Sequence, residues 1–355
     1  MGDKVRFGVI GCGEIATATL QGLAVASNAE VAMLMDLSPK VLDDLAELYH
    51  VPTTTNMEDV LSNPDVDAVY VATPHDTHAK IGIAAAEAGK HVLMEKPITT
   101  TLADADALIE ACWANDVRLG VGFFAQVDGA LSSARDMLRS GLLGEVMAVR
   151  FVVDADKPAS YWSGGYSGRI KTDWRSLKKR AAGGILIMNL SHDINTVRWV
   201  TGLEVKRVFA EADTLNTPVE VEDTIAVTLR YDNGAIGSIH ACSAARGGFY
   251  GGEPTGPRIF CTKGQIVLPP SGASKPALIW MEDAPEGSRP NKWQELPFAG
   301  QAASRREIVE GFANAVLEGI DPPCDGQAGR AALEIVLAAY KSAETHQPVS
   351  LPMET

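Results

Sequence analysis

The chain has 355 residues, of which 46% are hydrophobic and 21% charged, as expected for a globular protein large enough for two domains. Its net charge of −14 argues against nucleic acids and anionic membranes as partners. The sequence contains no apolar run long enough to span a bilayer and no signal peptide, so we expect a cytoplasmic protein.

Strand and helix patterns alternate along the N-terminal third of the chain. Short apolar runs predict strands over residues 5–10, 30–35, 66–72, 92–95 and 118–122. Amphipathic patterns predict helices over residues 14–26, 77–89 and 102–115. This alternation predicts an α/β domain with a parallel, doubly wound sheet.

A glycine pattern of the G-x-G-x-x-A type joins the first strand to the first helix. Gly11 permits a tight turn, Gly13 lets backbone approach a pyrophosphate, and the helix N-terminus offers N–H groups to phosphates. The second strand ends at Asp36, where an acid binds the ribose hydroxyls and favours NAD, although nearby polar residues leave NADP open. The alternative is a tight turn without a ligand. We predict a Rossmann-type NAD(P)-binding domain over residues 1–122, with cofactor contacts at Gly11, Gly13, Glu14, Ile15 and Asp36.

The predicted strand 92–95 ends in Glu95-Lys96-Pro97. Because proline stops a strand, Lys96 lies at the carboxyl end, where ligands bind in open α/β sheets. A hydride-transfer site needs a positive group beside the developing oxyanion, and we predict that Lys96 supplies it. The alternative is an ordinary surface lysine.

After residue 122 the pattern changes to a helix over 129–140 followed mainly by strands. The predicted strands are 146–154, 205–212, 224–231, 235–243, 258–261, 265–268 and 277–281. An Asn-Gly pair at residues 233–234 predicts a hairpin, so we expect residues 123–355 to form an α+β domain with a large open, mainly antiparallel sheet. Helices over 304–318 and 327–345 are predicted at the end of the chain. The second of these helices either belongs to this domain or returns to the first domain.

Together these motifs resemble the Gfo/Idh/MocA oxidoreductases, which include glucose–fructose oxidoreductase and inositol dehydrogenase. The resemblance spans nearly the whole chain, and its most specific part is Glu-Lys-Pro at residues 95–97 combined with the distant His192. The supporting segments are 8–13, 72–74 with His78, 141–145, 174–175, 183–184, 192–195 and 325–352.

The resemblance implies NAD(P)-linked oxidation or reduction at a secondary alcohol of a sugar, glycoside or cyclitol. It also implies a homodimer or homotetramer formed through the open sheet. His192 is the natural acid/base group because its unperturbed pKa is about 6.5, although a structural histidine at a helix start is the alternative. The implied cofactor contacts are Thr73, Pro74, His78, Glu95, Lys96, Trp174 and Arg175.

The chain departs from the family around His192. An aspartate common four residues before the histidine is Met188 here, with Asn189 one place later. An aspartate common three residues after it is Asn195. The usual carboxylate partner of the base is therefore missing, and Asp193 or Asp173 is available to compensate.

Residues 161–169 combine aromatic side chains with glycines, and aromatic faces stack on sugars, so this segment is the best candidate for a substrate loop. The alternative is a surface loop anchored in the core by its tryptophans. A second loop, 246–254, is either an active-site flap or an oligomer contact. The predicted substrate contacts are Gln126, an arginine in many family members, Tyr161, Trp162, Asp173 and Asn189. Five scattered cysteines form no cluster, so we expect no metal site.

Two other functions fit the same motifs. Some relatives are glycosidases that keep NAD bound, oxidise the sugar transiently, eliminate the aglycone and reduce the sugar again. A catalytically silent sensor of a nucleotide or sugar would need neither Lys96 nor His192. A further dehydrogenase variant would oxidise a cyclic dihydrodiol rather than a sugar.

Overall fold

The computed structural model describes residues 4–168, 170–248, 256–270, 273, 275–283, 287, 289–300 and 303–353. The chain divides into two compact units. The first comprises Met1–Phe123, Ser160–Ala182 and Ser304–Leu333, and the second comprises Phe124–Ala159, Gly183–Ala303 and Glu334–Thr355. The first unit therefore contains two segments that the predicted boundaries assign to the second domain.

The strands follow the predicted order closely. They are β1 Val5–Ile10, β2 Ala29–Met35, β3 Thr53–Thr54, β4 Ala68–Val71, β5 His91–Met94, β6 Leu119–Val121, β7 Val146–Asp154, β8 Val205–Asp213, β9 Thr224–Tyr231, β10 Ile236–Cys242, β11 Arg258–Cys261, β12 Gly264–Val267, β13 Leu278–Met281, β14 Gln294–Glu295 and β15 Val349–Ser350.

The α-helices are α1 Glu14–Val25, α2 Pro39–Tyr49, α3 Met57–Leu61, α4 His78–Glu87, α5 Leu102–Ala114, α6 Gly129–Arg139, α7 Ala159–Gly164, α8 Lys178–Ala181, α9 Ser191–Thr201, α10 Arg305–Glu318 and α11 Gly326–Thr345. A π-helical segment, Leu186–Leu190, leads directly into α9. The sequence patterns did not predict this segment or the short helix α7.

In the described part of the first unit, six parallel strands form a sheet in the order β3-β2-β1-β4-β5-β6. The strand order reverses between β1 and β4, which is where ligands bind in sheets of this kind. The late segment completes the core: the Phe312 ring of α10 lies 5.9 Å from that of Phe7, and Val121 donates a backbone hydrogen bond to Cys324. The predicted Rossmann fold is confirmed.

In the described part of the second unit, nine strands form a sheet in the order β14-β13-β12-β11-β7-β10-β9-β8-β15. Their pairing is antiparallel except between β7 and β10. The predicted hairpin joins β9 to β10, and Gly234 adopts a φ of +88° that its turn requires. The expected open, mainly antiparallel sheet is therefore confirmed.

One face of this sheet carries exposed side chains along three neighbouring strands. Buried and exposed residues alternate along β8, β9 and β10, because successive side chains of a strand point to opposite faces. The exposed positions include Phe209, which is 39% exposed, and Ile236, which is 46% exposed. Among the helices described, none combines the length and apolar composition that crossing a membrane requires.

Candidate active site

The glycine turn after β1 has the geometry that a dinucleotide requires. Gly11 has a φ of +87°, and a Cβ atom there would lie 2.9 Å from the backbone of Ala72. Gly13 is the N-cap of α1, and of the residues that the structure describes only Ile170, at 3.9 Å, would lie within 4 Å of a Cβ atom there. Glycine at the N-cap has no side chain with which to cap the helix, an arrangement suited to phosphate oxygens as partners of the first N–H groups. These residues fit NAD.

Asp36 directly follows β2, and its side chain is hydrogen-bonded to the glycine turn. Its carboxylate accepts hydrogen bonds from the backbone N–H groups of Cys12 and Ser38, both at 2.8 Å. Each carboxylate oxygen has two acceptor positions, so this partly exposed side chain keeps acceptor capacity beyond these two hydrogen bonds. The position fits the predicted role in cofactor binding.

The loops after β4 and β5 are tied together by His78. Its ring is fully buried, with one nitrogen 2.8 Å from the carbonyl oxygen of Pro97 and the other 3.0 Å from that of Thr73. The side chain therefore shapes the loops that carry Thr73, Pro74 and Lys96. Lys96 itself is partly buried and directly follows the end of β5, as predicted.

Glu95 was predicted among the cofactor contacts, but its carboxylate faces the interior of the first unit. It accepts hydrogen bonds from Tyr70 Oη at 2.6 Å and from the Arg305 guanidinium, and its side chain is 5% exposed. Burial raises the pKa of Glu95, but the charges of Arg305 and Lys96 outweigh it and hold the pKa below its ordinary value. This buried ion pair anchors the backbone immediately before Lys96.

Residues 160–182 of the first unit contact the glycine turn and the loop after β4. The Glu14 carboxylate accepts hydrogen bonds from the backbone N–H groups of Tyr166 and Ser167. The Trp174 ring lies 4.5 Å from the ring of His75, and the Arg175 guanidinium stacks over Trp174 at 4.6 Å. The segment thus places Trp174 and Arg175 at the ligand-binding edge of the sheet.

The first part of the predicted substrate loop, residues 161–164, belongs to the short helix α7. Tyr161 and Trp162 lie in α7 and are 8% and 5% exposed, with their rings packed edge to face at 5.2 Å. The Arg175 guanidinium covers the Tyr161 ring at 5.2 Å. The structure therefore favours the anchoring alternative for these two aromatics, because burial removes the faces that would stack on a sugar. Arg169, at the end of the predicted loop, lies outside the described residues.

His192 lies in the first turn of α9, as the pattern predicted. Its ring packs against that of Phe124 at 5.5 Å and it is partly exposed. Glu222 fixes the segment that precedes it by accepting hydrogen bonds from the backbone N–H groups of Gly184, at 2.5 Å, and Leu186, at 3.0 Å. Burial raises the pKa of the Glu222 carboxyl. The backbone that leads into α9 and His192 is thus hydrogen-bonded to Glu222, an acid just before β9 that the sequence analysis missed.

Two departures from the family pattern contact each other. The Gln126 amide donates to Asn195 Oδ1 at 3.3 Å, and the Asn195 amide donates to Gln126 Oε1 at 3.1 Å. Where many family members have an arginine and an aspartate, this chain therefore has a neutral, reciprocal amide pair. Asn195 is 1% exposed, so the pair holds the Gln126 amide against a buried position of α9, the helix that carries His192.

Asn189 has a partner that the sequence analysis did not identify. The Lys157 Nζ atom donates a hydrogen bond to Asn189 Oδ1 at 2.6 Å. Lys157 follows β7 and is 6% exposed. Immediately after Met188, the position where the family commonly has an acid, this chain therefore carries an amide that binds an ammonium group.

Of the two acids proposed to compensate for the missing carboxylate, Asp193 lies next to His192 on α9. Asp173 lies in the first unit, is exposed, and accepts a hydrogen bond from Arg180 at 3.4 Å. Burial raises the pKa of Asp193 to about 7. Asp193 is thus the acid on the same helix as the predicted base, and it titrates near neutral pH.

Asp193→Asn is expected to stabilise the protein most above neutral pH. A raised pKa in the folded state makes the ionised form costly, so the wild type loses stability as pH rises from the unfolded pKa of about 4 to about 7. The asparagine variant lacks that loss. Thermal unfolding should show a larger gain in melting temperature at about pH 8 than at about pH 5. An equal gain at both would assign the effect to packing.

The fold and the glycine turn define an NAD-binding oxidoreductase. Residues 5–123 match the sequence model of an oxidoreductase family with an NAD-binding Rossmann fold, and residues 131–267 match the GFO/IDH/MocA C-terminal domain. The chain belongs to the GFO/IDH/MocA family.

The similarity to individual proteins extends over the whole chain. It is 28% identical to myo-inositol 2-dehydrogenase of Thermotoga maritima, with 98% of both chains covered, and 28% identical to 1,5-anhydro-D-fructose reductase of Ensifer adhaerens, with the same coverage. Among solved structures, the WlbA dehydrogenase of Bordetella pertussis in complex with NADH and UDP-GlcNAcA has a TM-score of 0.82 at 26% identity, covering 99% of this chain and all of that one.

Proposed function

We propose that this protein is an NAD(P)-dependent dehydrogenase that transfers a hydride between the nicotinamide and a secondary alcohol or ketone of a sugar, glycoside or inositol. The observation that carries the proposal is the position of Lys96, at the carboxyl end of β5 in an NAD-binding sheet. The relatives named as inositol and sugar oxidoreductases support the substrate class.

The chemistry divides between two side chains. Bound NAD supplies the hydride acceptor. The Lys96 ammonium stabilises the oxyanion that develops as the hydride leaves, and the neutral His192 imidazole accepts the hydroxyl proton. Asp193 on the same helix offers a group that titrates near neutral pH beside that base.

The cofactor contacts proposed here are those at the glycine turn and on the loops after β2, β4 and β5. Gly11, Gly13 and the N–H groups of Glu14 and Ile15 would hold the pyrophosphate, and Asp36 would hold the adenosine ribose. Thr73 and Pro74, together with Trp174 and Arg175 of the segment 160–182, would line the nicotinamide end.

Asp36→Ala is expected to weaken NAD binding about tenfold or more and to relax discrimination against NADP, because it removes both the ribose acceptor and the repulsion of a 2′-phosphate. The change also removes the acceptor of the Cys12 N–H group. Asp36→Asn is the matched control, since its amide oxygen keeps one acceptor without the charge. Cofactor titrations with NAD and NADP measure both effects. An unchanged preference in both variants would remove Asp36 from the cofactor site.

The first test is near-UV nicotinamide absorbance while the purified protein meets NAD, then NADP, with hexoses, glycosides, inositols and a cyclic dihydrodiol. A rise with one polyol class is the expected result. Aglycone release from a glycoside without net reduction would instead identify an NAD-retaining glycosidase. Binding of nucleotide or sugar without any turnover would identify a sensor.

The exposed face of the second sheet supports a further part of the proposal. Phe209 and Ile236 are large exposed apolar residues on that face. We propose that two or four copies of the chain associate through it and that the protein works in the cytoplasm. Light scattering on the purified protein gives the oligomeric state, and a monomer at micromolar concentration would exclude this assembly.

A further inference from the structure

The helix that carries His192 begins in a buried part of the second unit. Its π-helical segment Leu186–Leu190 runs directly into α9, and the Met188 N–H donates to the carbonyl oxygen of Gly184 at 3.0 Å in its first turn. The N–H groups at the start of a helix have no acceptors within it, and here they belong to the buried residues 184–187. Buried N–H groups need hydrogen-bond partners, so these four need acceptors from elsewhere in the chain.

Glu222, just before β9, provides acceptors for three of the four groups. Its carboxylate accepts hydrogen bonds from the N–H groups of Gly184, at 2.5 Å, and Leu186, at 3.0 Å. Its backbone carbonyl oxygen accepts a hydrogen bond from the Ile185 N–H at 3.2 Å. Glu222 is 8% exposed, and an acid suits this place because the partial positive charge of a helix N-terminus favours a carboxylate.

Tyr340 of α11 completes the set. Its hydroxyl oxygen accepts a hydrogen bond from the Ile187 N–H at 3.2 Å, and its O–H group donates to the Glu222 carboxylate at 2.8 Å. All four N–H groups at the helix start are therefore hydrogen-bonded to one connected pair of residues. Both residues come from distant parts of the chain, 36 and more positions away from the helix start.

The two glycines before the helix fit closely against this pair. A Cβ atom at Gly183 would lie 2.1 Å from the hydroxyl oxygen of Tyr340, and a Cβ atom at Gly184 would lie 1.8 Å from the carbonyl oxygen of Glu222. A side chain at either position would displace Glu222 or Tyr340. The glycine pair in the sequence is thus explained by the close approach of these two residues to the helix start.

The π-helical turn makes the direction of His192 depend on how the helix start is held. A π-helical turn contains about one residue more than an α-helical turn, and each residue of an α-helix advances by about 100° around the axis. Conversion of the segment to regular α-helix from the same start would therefore rotate the side chains of α9 by about 100°. His192 is the second residue of α9, and its ring lies 5.5 Å from that of Phe124. The rotation would move the imidazole away from this position.

We propose that Glu222 and Tyr340 are positioning residues for the base: by holding the start of this helix they maintain the π-helical turn, and with it the direction of the His192 imidazole. The inference rests on the proposed dehydrogenase function, in which His192 accepts the hydroxyl proton. Single π-helical turns within α-helices are frequent at functional sites, which agrees with such a role.

Tyr340→Phe tests the proposal by removing one hydroxyl group, and with it the acceptor of the Ile187 N–H. We expect kcat to fall about tenfold or more, because a small displacement of a catalytic group is costly, while KM for NAD stays within about twofold. Glu222→Gln should cause a loss of similar size, since an amide nitrogen cannot accept a hydrogen bond from a backbone N–H. NMR of protein with ¹³C-labelled histidine gives a second readout. The His192 ring signals, identified by their absence from His192→Ala, should shift in both variants.

Ser342→Ala is the matched control, because Ser342 lies on the same helix as Tyr340 and its hydroxyl also makes two hydrogen bonds. It accepts from the Ala210 N–H at 3.0 Å and donates to the carbonyl oxygen of Gln347 at 2.6 Å. Ser342→Ala should lower the melting temperature but keep the kcat and the His192 signals of the wild type. Tyr231→Phe removes a hydroxyl from another buried tyrosine of the second unit and should also change neither quantity.

The outcomes separate this inference from the function on which it rests. A wild-type kcat in Tyr340→Phe or Glu222→Gln, unshifted His192 signals, or an equal loss of kcat in Ser342→Ala would overturn the positioning role and leave the dehydrogenase function intact. If the wild type reduces no nicotinamide with any substrate, the dehydrogenase function is refuted and the NMR signals alone decide. His192 signals that shift in Tyr340→Phe and Glu222→Gln but not in Ser342→Ala would then support the positioning of His192, and any other pattern would refute it.

Discussion

Lys96→Ala is expected to lower kcat about a hundredfold or more while NAD still binds with nearly the same affinity. The ammonium group acts on charge that develops in the transition state, so its loss affects turnover far more than ground-state binding. His192→Ala should cause a loss of similar size by removing the acceptor of the hydroxyl proton. Steady-state kinetics on the best substrate and a fluorescence titration with NADH measure the two quantities separately.

Lys80→Ala is the matched control for the Lys96 variant. Lys80 is an exposed lysine on α4 of the same unit, so its removal changes the net charge equally. Turnover of Lys80→Ala should equal that of the wild type. If Lys96→Ala also turned over like the wild type, or if it lost turnover only because NAD no longer bound, Lys96 would not be the oxyanion-stabilising group.

Local patterns were sufficient to predict most of the first sheet. Strand β1, the glycine turn and α1 form one contiguous stretch in which apolar periodicity, two glycines and a helix start agree, so no distant residue is needed to recognise them. The hairpin between β9 and β10 is local in the same sense, because Asn233-Gly234 determines its turn. Lys96 and His192 were predicted at strand and helix ends, and the structure places them there.

The side-chain partners of the site were beyond the sequence patterns, because they join distant parts of the chain. Glu95 and Arg305 are separated by 210 positions, and Lys157 and Asn189 by 32. A pattern identifies which residue is polar but not which polar group it will contact. The sequence analysis therefore read Glu95 as a ligand contact and did not consider Lys157 at all.

The segment 161–169 shows why a sequence pattern left two interpretations open. Aromatic residues among glycines are typical both of a substrate loop and of a short element held in a core, and only packing distinguishes them. In the structure Trp162 and Tyr161 pack on each other, and Glu14 accepts hydrogen bonds from the backbone of the glycine-rich part.

The departures from the family pattern at residues 126 and 195 became interpretable only as a pair, because each alone looked like the loss of a charged group.

Arg305→Met is expected to lower the free energy of unfolding at neutral pH by about 3–5 kcal/mol, because it leaves the Glu95 carboxylate buried without its ion-pair partner. In the wild type the pKa of Glu95 is below its ordinary value, so the pair stabilises the fold above the unfolded pKa and loses this effect as pH falls through the folded pKa. Without Arg305, the effect of burial outweighs the remaining contacts and raises the pKa of Glu95. The deficit of the variant should therefore shrink as the carboxyl becomes protonated in mild acid.

Urea denaturation at about pH 7 and about pH 5 measures how the stability deficit of Arg305→Met depends on pH. The double variant Glu95→Gln with Arg305→Met should recover part of the lost stability, because neither charge of the pair remains buried. Arg306→Met removes a neighbouring arginine whose ion pair with Glu310 is more exposed, so it should cost less than about 1 kcal/mol. A deficit that is the same at both pH values and is not reduced in the double variant would mean that Arg305 acts through packing. Because Lys96 follows Glu95 directly, a true electrostatic loss should also lower turnover in Arg305→Met, and the double variant should restore it in part.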